Sequence, residues 1–552
     1  MAQSKTTARH PRGLYVLFFT ELWERFGFYL MIGILFLYLT DTTGHGGKGM
    51  DNPTAVGIVG SYTALVYLTP FIGGMIADRF IGYIRSIYLG AILLGSGYFL
   101  ISTPGSNVWL YMGLAFVIVG NGFFKPNIST LLGNLYNTAD LQAKKDTGFS
   151  IFYMGINTGA FICNFIAAYL RNNYTWGAAF KAAGVGMMIS LILMVAGRKH
   201  VKAGDVMKGP EPGDMSFGKI TASVFVPALL AGVLGWMIPG NLAGSDSNDA
   251  FIFACVPVIG FYISLWLRAK GFDRKRLGTL LALFSIAVIF WSIYNQNSTT
   301  LTIWAETYTH RETPKALEKV LKPFGLLQTV DSRIQEVPVV DEQFRPKSDD
   351  RGRVITTQGT DLYLQNLPKE QWPPPGKDLK LLSTEIYQSV SPFWIIALTP
   401  VIVTFFSWLR SRRREPSTPG KMAWGVTIAG LSSIVMIAAS LSTDIYHDKV
   451  SSAWIVSSYG VYTLSELFMS PIGLSLVSKV SPPRFTSLMM GGWFLTISLG
   501  AKISGILAGF WDQFDHKGYY FAISAIPALL AGIIIFPIVK KLNRVVVEAT
   551  AR

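Results

Sequence analysis

Acidic and basic side chains within long apolar segments are the residues of this sequence best placed for chemistry. The first such segment carries five side chains at spacings that share one helical face: Glu21, Glu24, Arg25, Phe28 and Tyr29. Ionised groups are costly at bilayer depth, so this face must point into a helix bundle. The charged groups either lock helices together as ion pairs or carry protons, since desolvation and neighbouring cations shift a carboxylate pKa in opposite directions.

Two further charges lie in apolar segments of opposite halves of the chain. Lys125 requires an acidic partner or a carboxylate ligand at that depth. Glu466 shares a helical face with Tyr459, Tyr462 and Ser470, and a carboxylate among aromatic rings suits an ammonium ligand. Each charge has the alternative of a permanent ion pair within the protein. A cavity with separated positive and negative walls would suit a zwitterion.

Other polar groups in apolar segments have a purely structural interpretation as well as a functional one. The ammonium of Lys502 either snorkels to the surface or serves as a contact within the bundle. One segment carries a polar stripe that either lines a site or only joins helices by hydrogen bonds: Trp291, Asn295, Ser298, Thr302 and Glu306.

Long apolar segments position these groups. The 552 residues are 50% hydrophobic and 15% charged, and they contain about fourteen stretches long enough to cross a bilayer. Lys and Arg concentrate in alternate loops, which predicts both termini in the cytoplasm. Six stretches, a basic region with two more, and a final six predict a bundle at 1–200, an insert at 201–275 and a second bundle at 276–552. The polar stretch 307–385 is predicted to be an extracytoplasmic loop that begins with a short amphipathic helix.

Composition and motif content exclude several classes of function. The net charge of +15 follows from the basic loops, so no nucleic-acid partner is expected. Cys163 and Cys255 form neither a disulfide framework nor a metal spacing, and we expect no metal site. No nucleophile or cofactor constellation occurs, so the chain is not expected to be an enzyme.

Several motifs, in the correct order, resemble those of the proton-dependent oligopeptide transporter family. ELWERFGFY at 21–29 resembles the first-helix ExxERFxYY motif, and GGMIADRFIG at 73–82 resembles the loop after the second helix, with Gly74, Asp78, Arg79 and Gly82 as its structural residues. FYMGINTG at 152–159, SELFMSPIGLS at 465–475 and WFL at 493–495 are similar to later family motifs. The resemblance implies an all-α polytopic membrane protein with a major-facilitator fold of two six-helix bundles plus two inserted helices.

The resemblance also implies residue roles. Arg25 and Lys125 would hold the peptide carboxylate, while Glu466, helped by Asn157, would hold the amine. Aromatic side chains would line the side-chain pockets: Tyr29, Tyr67, Trp291 and Trp493. Proton coupling would fall to Glu21, Glu24 and Arg25. The expected substrate-binding set is Arg25, Tyr29, Tyr67, Lys125, Asn157, Trp291, Asn295, Glu466, Ser470 and Trp493.

Some positions depart from the family pattern. Phe28 replaces the first tyrosine of the motif, and Ser391 stands where an asparagine is usual. Ile32 and Asn295 replace a basic and an acidic residue, as if an ion pair had been deleted together, and Lys502 lies near the usual Gly-Asn pair. These departures predict that no ion pair at positions 32 and 295 joins the first helix of the first bundle to the first helix of the second bundle, with Glu306 or Lys502 as substitute contacts.

The resemblance implies a proton-coupled symporter that takes up di- and tripeptides by alternating access. The alternatives are a relative that carries another small solute, or a weakly coupled or sensor-like relative. The proton is the coupling ion and no cofactor is expected. We expect a monomer in the bilayer of the bacterial inner membrane, with a small peptide as its substrate.

Overall fold

The computed structural model describes residues 9–142, 144–207, 216–482 and 485–551. A few side chains within the helices also lie outside this description, that of Ser470 among them.

Long helices dominate the described residues. Thirteen are long and apolar enough to cross a membrane, and Ser452–Val480 is a further helix of 29 residues. They are α1 (Arg12–Thr40), α2 (Asn52–Ile76), α3 (Tyr83–Ile101), α4 (Asn107–Leu135), α5 (Lys145–Asn173), α6 (Trp176–Ala196), α7 (Gly218–Met237), α8 (Asp246–Arg268), α9 (Gly271–Tyr294), α10 (Val390–Ser411), α11 (Thr418–Leu441), α12 (Ser452–Val480), α13 (Thr486–Gly509) and α14 (Lys517–Ala551). The prediction of an all-α polytopic membrane protein is confirmed.

Hydroxyl side chains cap the N-termini of several of these helices. Ser106 accepts a hydrogen bond from the amide of Val108 at the start of α4, and Thr175 accepts from the amide of Ala178 at the start of α6. Ser245 does the same for α8. Such caps satisfy amide groups that have no partner within the first turn of a helix.

The chain forms two compact units. The first comprises Met1–Leu35, Leu65–Gly209 and Lys319–Leu327, and the second comprises Phe36–Ala64, Pro210–Glu318 and Gln328–Arg552. In the first unit α3 packs against α4 and α6; in the second α11 packs against α12 and α14, α9 against α13, and α7 against α8. The sequence boundaries at 200 and 275 remain a prediction.

A sharp turn joins α2 to α3. The chain passes from α2 through one π-helical turn, Ala77–Ile81, and reaches α3 at Gly82, whose φ of +79° favours glycine. The carboxylate of Asp205 accepts hydrogen bonds from the first two amides of α3, at 2.8 and 3.3 Å. A carboxylate at this position also complements the positive end of the helix.

The segment between α9 and α10 folds into a small domain, which we call the α9–α10 domain (residues 308–385). A short helix, Lys315–Leu321, lies near its start, as the sequence predicted. The six strands of the structure form three two-stranded sheets, β1–β6, β2–β5 and β3–β4. They are β1 (Thr309–His310), β2 (Leu327–Asp331), β3 (Gln335–Pro338), β4 (Thr356–Gly359), β5 (Asp378–Leu382) and β6 (Val450–Ser451).

The α9–α10 domain has a hydrophobic core of its own. Val330, Tyr363, Leu364, Leu367 and Leu381 are buried together, with two partly buried side chains packed against them. β1 pairs in parallel with β6, which precedes α12, so backbone hydrogen bonds within the second unit join the start of the domain to the segment before α12. The segment is therefore a folded domain rather than an irregular loop.

Candidate substrate and proton-coupling site

Three charged side chains of α1 form one buried cluster in the first unit. Arg25 engages both carboxylate oxygens of Glu24, with Nη2 donating to Oε1 at 2.6 Å and Nε in still closer contact with Oε2. Nε also lies 3.3 Å from Oε1 of Glu21. Oε2 of Glu21 is buried and has no hydrogen-bond partner in the part of the chain that the structure describes. Two carboxylates thus share one guanidinium.

Lys125 of α4 lies beside aromatic rings in the same unit. Its Nζ is 4.2 Å from the ring centre of Tyr67 and 5.9 Å from that of Phe28. Within the described residues, its contacts are these cation–π interactions, and no ion pair with Glu21 or Glu24 is formed. A lysine held only by rings has hydrogen-bond donors left for an anionic ligand.

Glu466 of α12 carries the corresponding negative charge of the second unit. Its side chain is buried, with 8% of the residue exposed. One carboxylate oxygen, Oε2, has no hydrogen-bond partner among the described residues, and the side chain accepts a hydrogen bond from Tyr294. No ion pair with a lysine is formed within the described part of the chain. The free oxygen can accept a hydrogen bond from a cationic ligand.

Aromatic side chains continue from Glu466 along α9 and α12. The ring of Tyr294 meets that of Tyr462 edge to face at 5.5 Å, and Tyr462 lies 5.3 Å from Tyr459. On the other side, Tyr294 lies 5.1 Å from Trp291, whose indole Nε1 is buried without a partner. Tyr294 is the residue that sequence analysis missed, although its spacing of three from Trp291 places both on one helical face.

Asn295 marks the end of α9. Its Nδ2 donates to the carbonyl of Trp291 at 2.7 Å, and the chain continues as one 3₁₀ turn, Asn295–Ser298, before the short helix Thr300–Thr307. The resemblance leads us to expect an acidic side chain at this position. Here it is a neutral amide that donates a hydrogen bond to a carbonyl of its own helix. Nothing in its described contacts requires a charged partner.

The remaining predicted site residues make the following described contacts. Tyr29 meets Phe28 edge to face at 5.2 Å, and the amide of Asn157 donates to the carbonyl of Tyr153 within α5. Trp493 packs against Phe284, with ring centres 6.3 Å apart. The predicted contribution of Ser470 falls on a side chain outside the described residues.

Lys502 of α13 is fully buried, with 1% of the residue exposed, so it does not snorkel outward. Its Nζ donates to Oγ of Ser61 in α2 at 2.6 Å and contacts Oγ of Ser247 in α8 at 3.4 Å. All three residues belong to the second unit. Lys502 therefore joins an inserted helix and part of α2 to α13 through hydroxyl groups.

Comparison with known proteins decides the family. The model of the POT family matches residues 84–329 and 379–527, more than half of the chain. The chain belongs to the POT family. The gap in the match, 330–378, falls inside the α9–α10 domain, which is where the family motifs are absent.

Similar proteins cover nearly the whole chain. An uncharacterized transporter YclF of Bacillus subtilis is 31% identical, over 96% of this chain and 95% of its own length. A di-/tripeptide transporter of Lactococcus lactis subsp. cremoris is 30% identical, over 97% and 96%.

Solved structures show the same architecture. A crystal structure of a peptide transporter POT in complex with sulfate superposes with a TM-score of 0.75 at 29% identity, covering 98% of this chain and 97% of the other. A POT family transporter in complex with 5-aminolevulinic acid gives a TM-score of 0.74 at 27% identity, with 98% of each chain covered. This POT family member is therefore an integral membrane transporter.

Proposed function

We propose that this protein is a proton-coupled symporter that takes up di- and tripeptides by alternating access. The observation that carries the proposal is a pair of buried groups of opposite charge, each with hydrogen-bonding capacity that no described partner uses. Among the described residues, Lys125 has ammonium donors without an anionic partner, and Glu466 has a carboxylate oxygen without a donor. A short peptide carries the two complementary charges at its two ends.

The first unit is assigned the peptide carboxylate. Lys125 is the cation without a described ion pair, so it is the first group to receive the carboxylate. Arg25 is held by Glu24 and Glu21 and becomes a carboxylate ligand only when one of them is neutralised. A proton on a first-helix glutamate would therefore increase the affinity of the site for an anion, which couples proton binding to peptide binding.

The second unit is assigned the peptide amine. Glu466 offers its free oxygen to the ammonium, and Tyr294 orients the carboxylate by its hydrogen bond. A ring beside the ammonium adds cation–π attraction, which Tyr462 and Tyr294 are placed to supply. Side chains of the peptide would contact Tyr29 and Tyr67 in the first unit, and Trp291 and Trp493 in the second. These assignments follow the motif resemblance.

The cellular setting follows from the same resemblance and from the loop charges. We place the protein in the bacterial inner membrane with both termini in the cytoplasm, and the α9–α10 domain outside. The proton is its coupling ion, and it acts as a transporter rather than as an enzyme. A monomer holds both proposed ligand groups.

Uptake of a dipeptide and of nitrate by cells that express the protein tests the substrate class. We expect saturable dipeptide uptake that unlabelled tripeptide inhibits, because both peptides carry an ammonium and a carboxylate. Nitrate has no group for Glu466, so nitrate uptake should stay at the level of cells without the protein. Nitrate uptake without dipeptide uptake would contradict the proposed substrate class.

A further inference from the structure

A cavity of about 480 Å³ lies at the N-terminal end of α3 in the first unit, lined by none of the residues of the proposed peptide site. Arg85 and Tyr88 contribute from the first two turns of α3, and Arg198 and Asp205 contribute from the chain that follows α6. Two arginines and one carboxylate give the lining a net positive charge. The nearby side chains of Lys199 and Lys202 are also exposed and basic.

The polar groups of this cavity differ in whether they have hydrogen-bond or ion-pair partners among the described residues. The Asp205 carboxylate is occupied by the first amides of α3, as described above. In the described residues, neither Arg85 nor Arg198 forms an ion pair, and the hydroxyl of Tyr88 is buried without a hydrogen-bond partner. The exposed guanidinium groups of Arg85 and Arg198 can thus engage one ligand, and Tyr88 lines the same cavity with a hydroxyl that has no partner among the described residues. Guanidinium groups match the oxygens of a phosphate in geometry and charge.

Exposed apolar side chains form a stripe on α3 that ends at Arg85 and a stripe on α6 that ends at Arg198. On α3, Leu89 and Ile92 follow Arg85 at intervals of four and three residues, so the three share one face. On α6, Ile192 and Val195 precede Arg198 on a similar exposed stripe. In a membrane such stripes contact acyl chains. A phosphate that reaches this cavity is therefore expected to carry acyl chains with it.

We propose that this cavity binds the phosphate headgroup of an anionic phospholipid, with Arg85 and Arg198 as its charged ligands and Tyr88 as a hydrogen-bond donor. The acyl chains lie against the exposed stripes of α3 and α6. Basic cavities at the ends of membrane helices bind anionic headgroups by this combination of charge and apolar contact. The site belongs to the transporter surface and would be occupied with or without peptide.

Native mass spectrometry of the full-length protein in detergent, titrated with dioleoyl phosphatidylglycerol, tests the proposal. The Arg85→Gln/Arg198→Gln variant should bind this lipid at least about tenfold more weakly. Tyr88→Phe keeps the charge and should weaken binding about threefold. A matched control, Arg413→Gln/Arg414→Gln, removes two exposed charges from another basic loop and should bind as the wild type does.

Three outcomes would overturn the proposal. The first is equal phosphatidylglycerol affinity in the Arg85/Arg198 variant and its control. The second is binding of neutral dioleoyl phosphatidylcholine as strong as that of phosphatidylglycerol. The third is binding of glycerol 3-phosphate with the affinity of the lipid, which would identify a site for soluble anions. If the double variant fails to fold, unchanged affinity in Tyr88→Phe would by itself contradict the site.

Discussion

Replacing Glu466 with glutamine removes one negative charge and little else. The glutamine carbonyl can still accept the hydrogen bond that Tyr294 donates to the glutamate. Two unit charges about 4 Å apart interact by about 4 kcal/mol at an effective dielectric constant of about 20. A hydrogen bond from the peptide ammonium to the neutral glutamine carbonyl recovers about 1–2 kcal/mol. The expected net loss of about 2–3 kcal/mol corresponds to a roughly 30- to 150-fold higher Kd for a dipeptide.

Isothermal titration of the purified protein with a dipeptide and with its N-acetylated form measures this loss. The acetylated peptide has no ammonium, so the wild type and Glu466→Gln should bind it with similar affinity. Tyr294→Phe serves as the control, because it keeps the charge and should change the dipeptide Kd by about threefold or less. The reasoning is refuted if Glu466→Gln leaves dipeptide binding unchanged, or if it weakens both peptides equally.

Three further predictions concern other charges. Glu24→Gln should abolish gradient-driven accumulation yet preserve peptide exchange, because Arg25 loses the closer of its two titratable partners. Concentrative uptake by this variant would contradict the coupling role. Lys502→Met should raise the Tm, with a gain of about 1–3 kcal/mol, because it removes a buried cation that has no carboxylate partner among the described residues. A lower Tm would show that its hydrogen bonds and its contact with Phe251 outweigh desolvation. Burial lowers the pKa of Lys449, outside the membrane spans, well below its ordinary 10.5. Its charged form is therefore disfavoured in the folded protein, so the Tm of the wild type relative to Lys449→Met should increase between pH 7 and pH 9.5; a constant difference would contradict the shift.

The length of the apolar stretches was sufficient to predict the membrane-spanning helices of this protein. Each spanning helix is a local feature of about 20 apolar residues, and its pattern does not depend on distant parts of the chain. The face shared by Glu21, Glu24 and Arg25 was also predictable, since spacing along one helix fixes it. Their contacts in the structure follow directly from that spacing.

Contacts between distant segments could not be read from the sequence. The strand Thr309–His310 pairs with Val450–Ser451, about 140 residues later, and nothing local indicates this pairing. For the same reason the α9–α10 domain was predicted as a loop. The hydrogen bond from Tyr294 to Glu466 joins α9 to α12, and the contact of Lys502 with Ser61 joins α13 to α2. Such partners depend on packing rather than on periodicity.

Uptake of a radiolabelled dipeptide into liposomes that contain only this protein tests the central claim most directly. An inward proton gradient should drive internal peptide above the external concentration, and a protonophore should abolish the accumulation but not the exchange of peptide. Internal peptide that only reaches the external concentration, whether or not the gradient is present, would contradict proton-coupled symport.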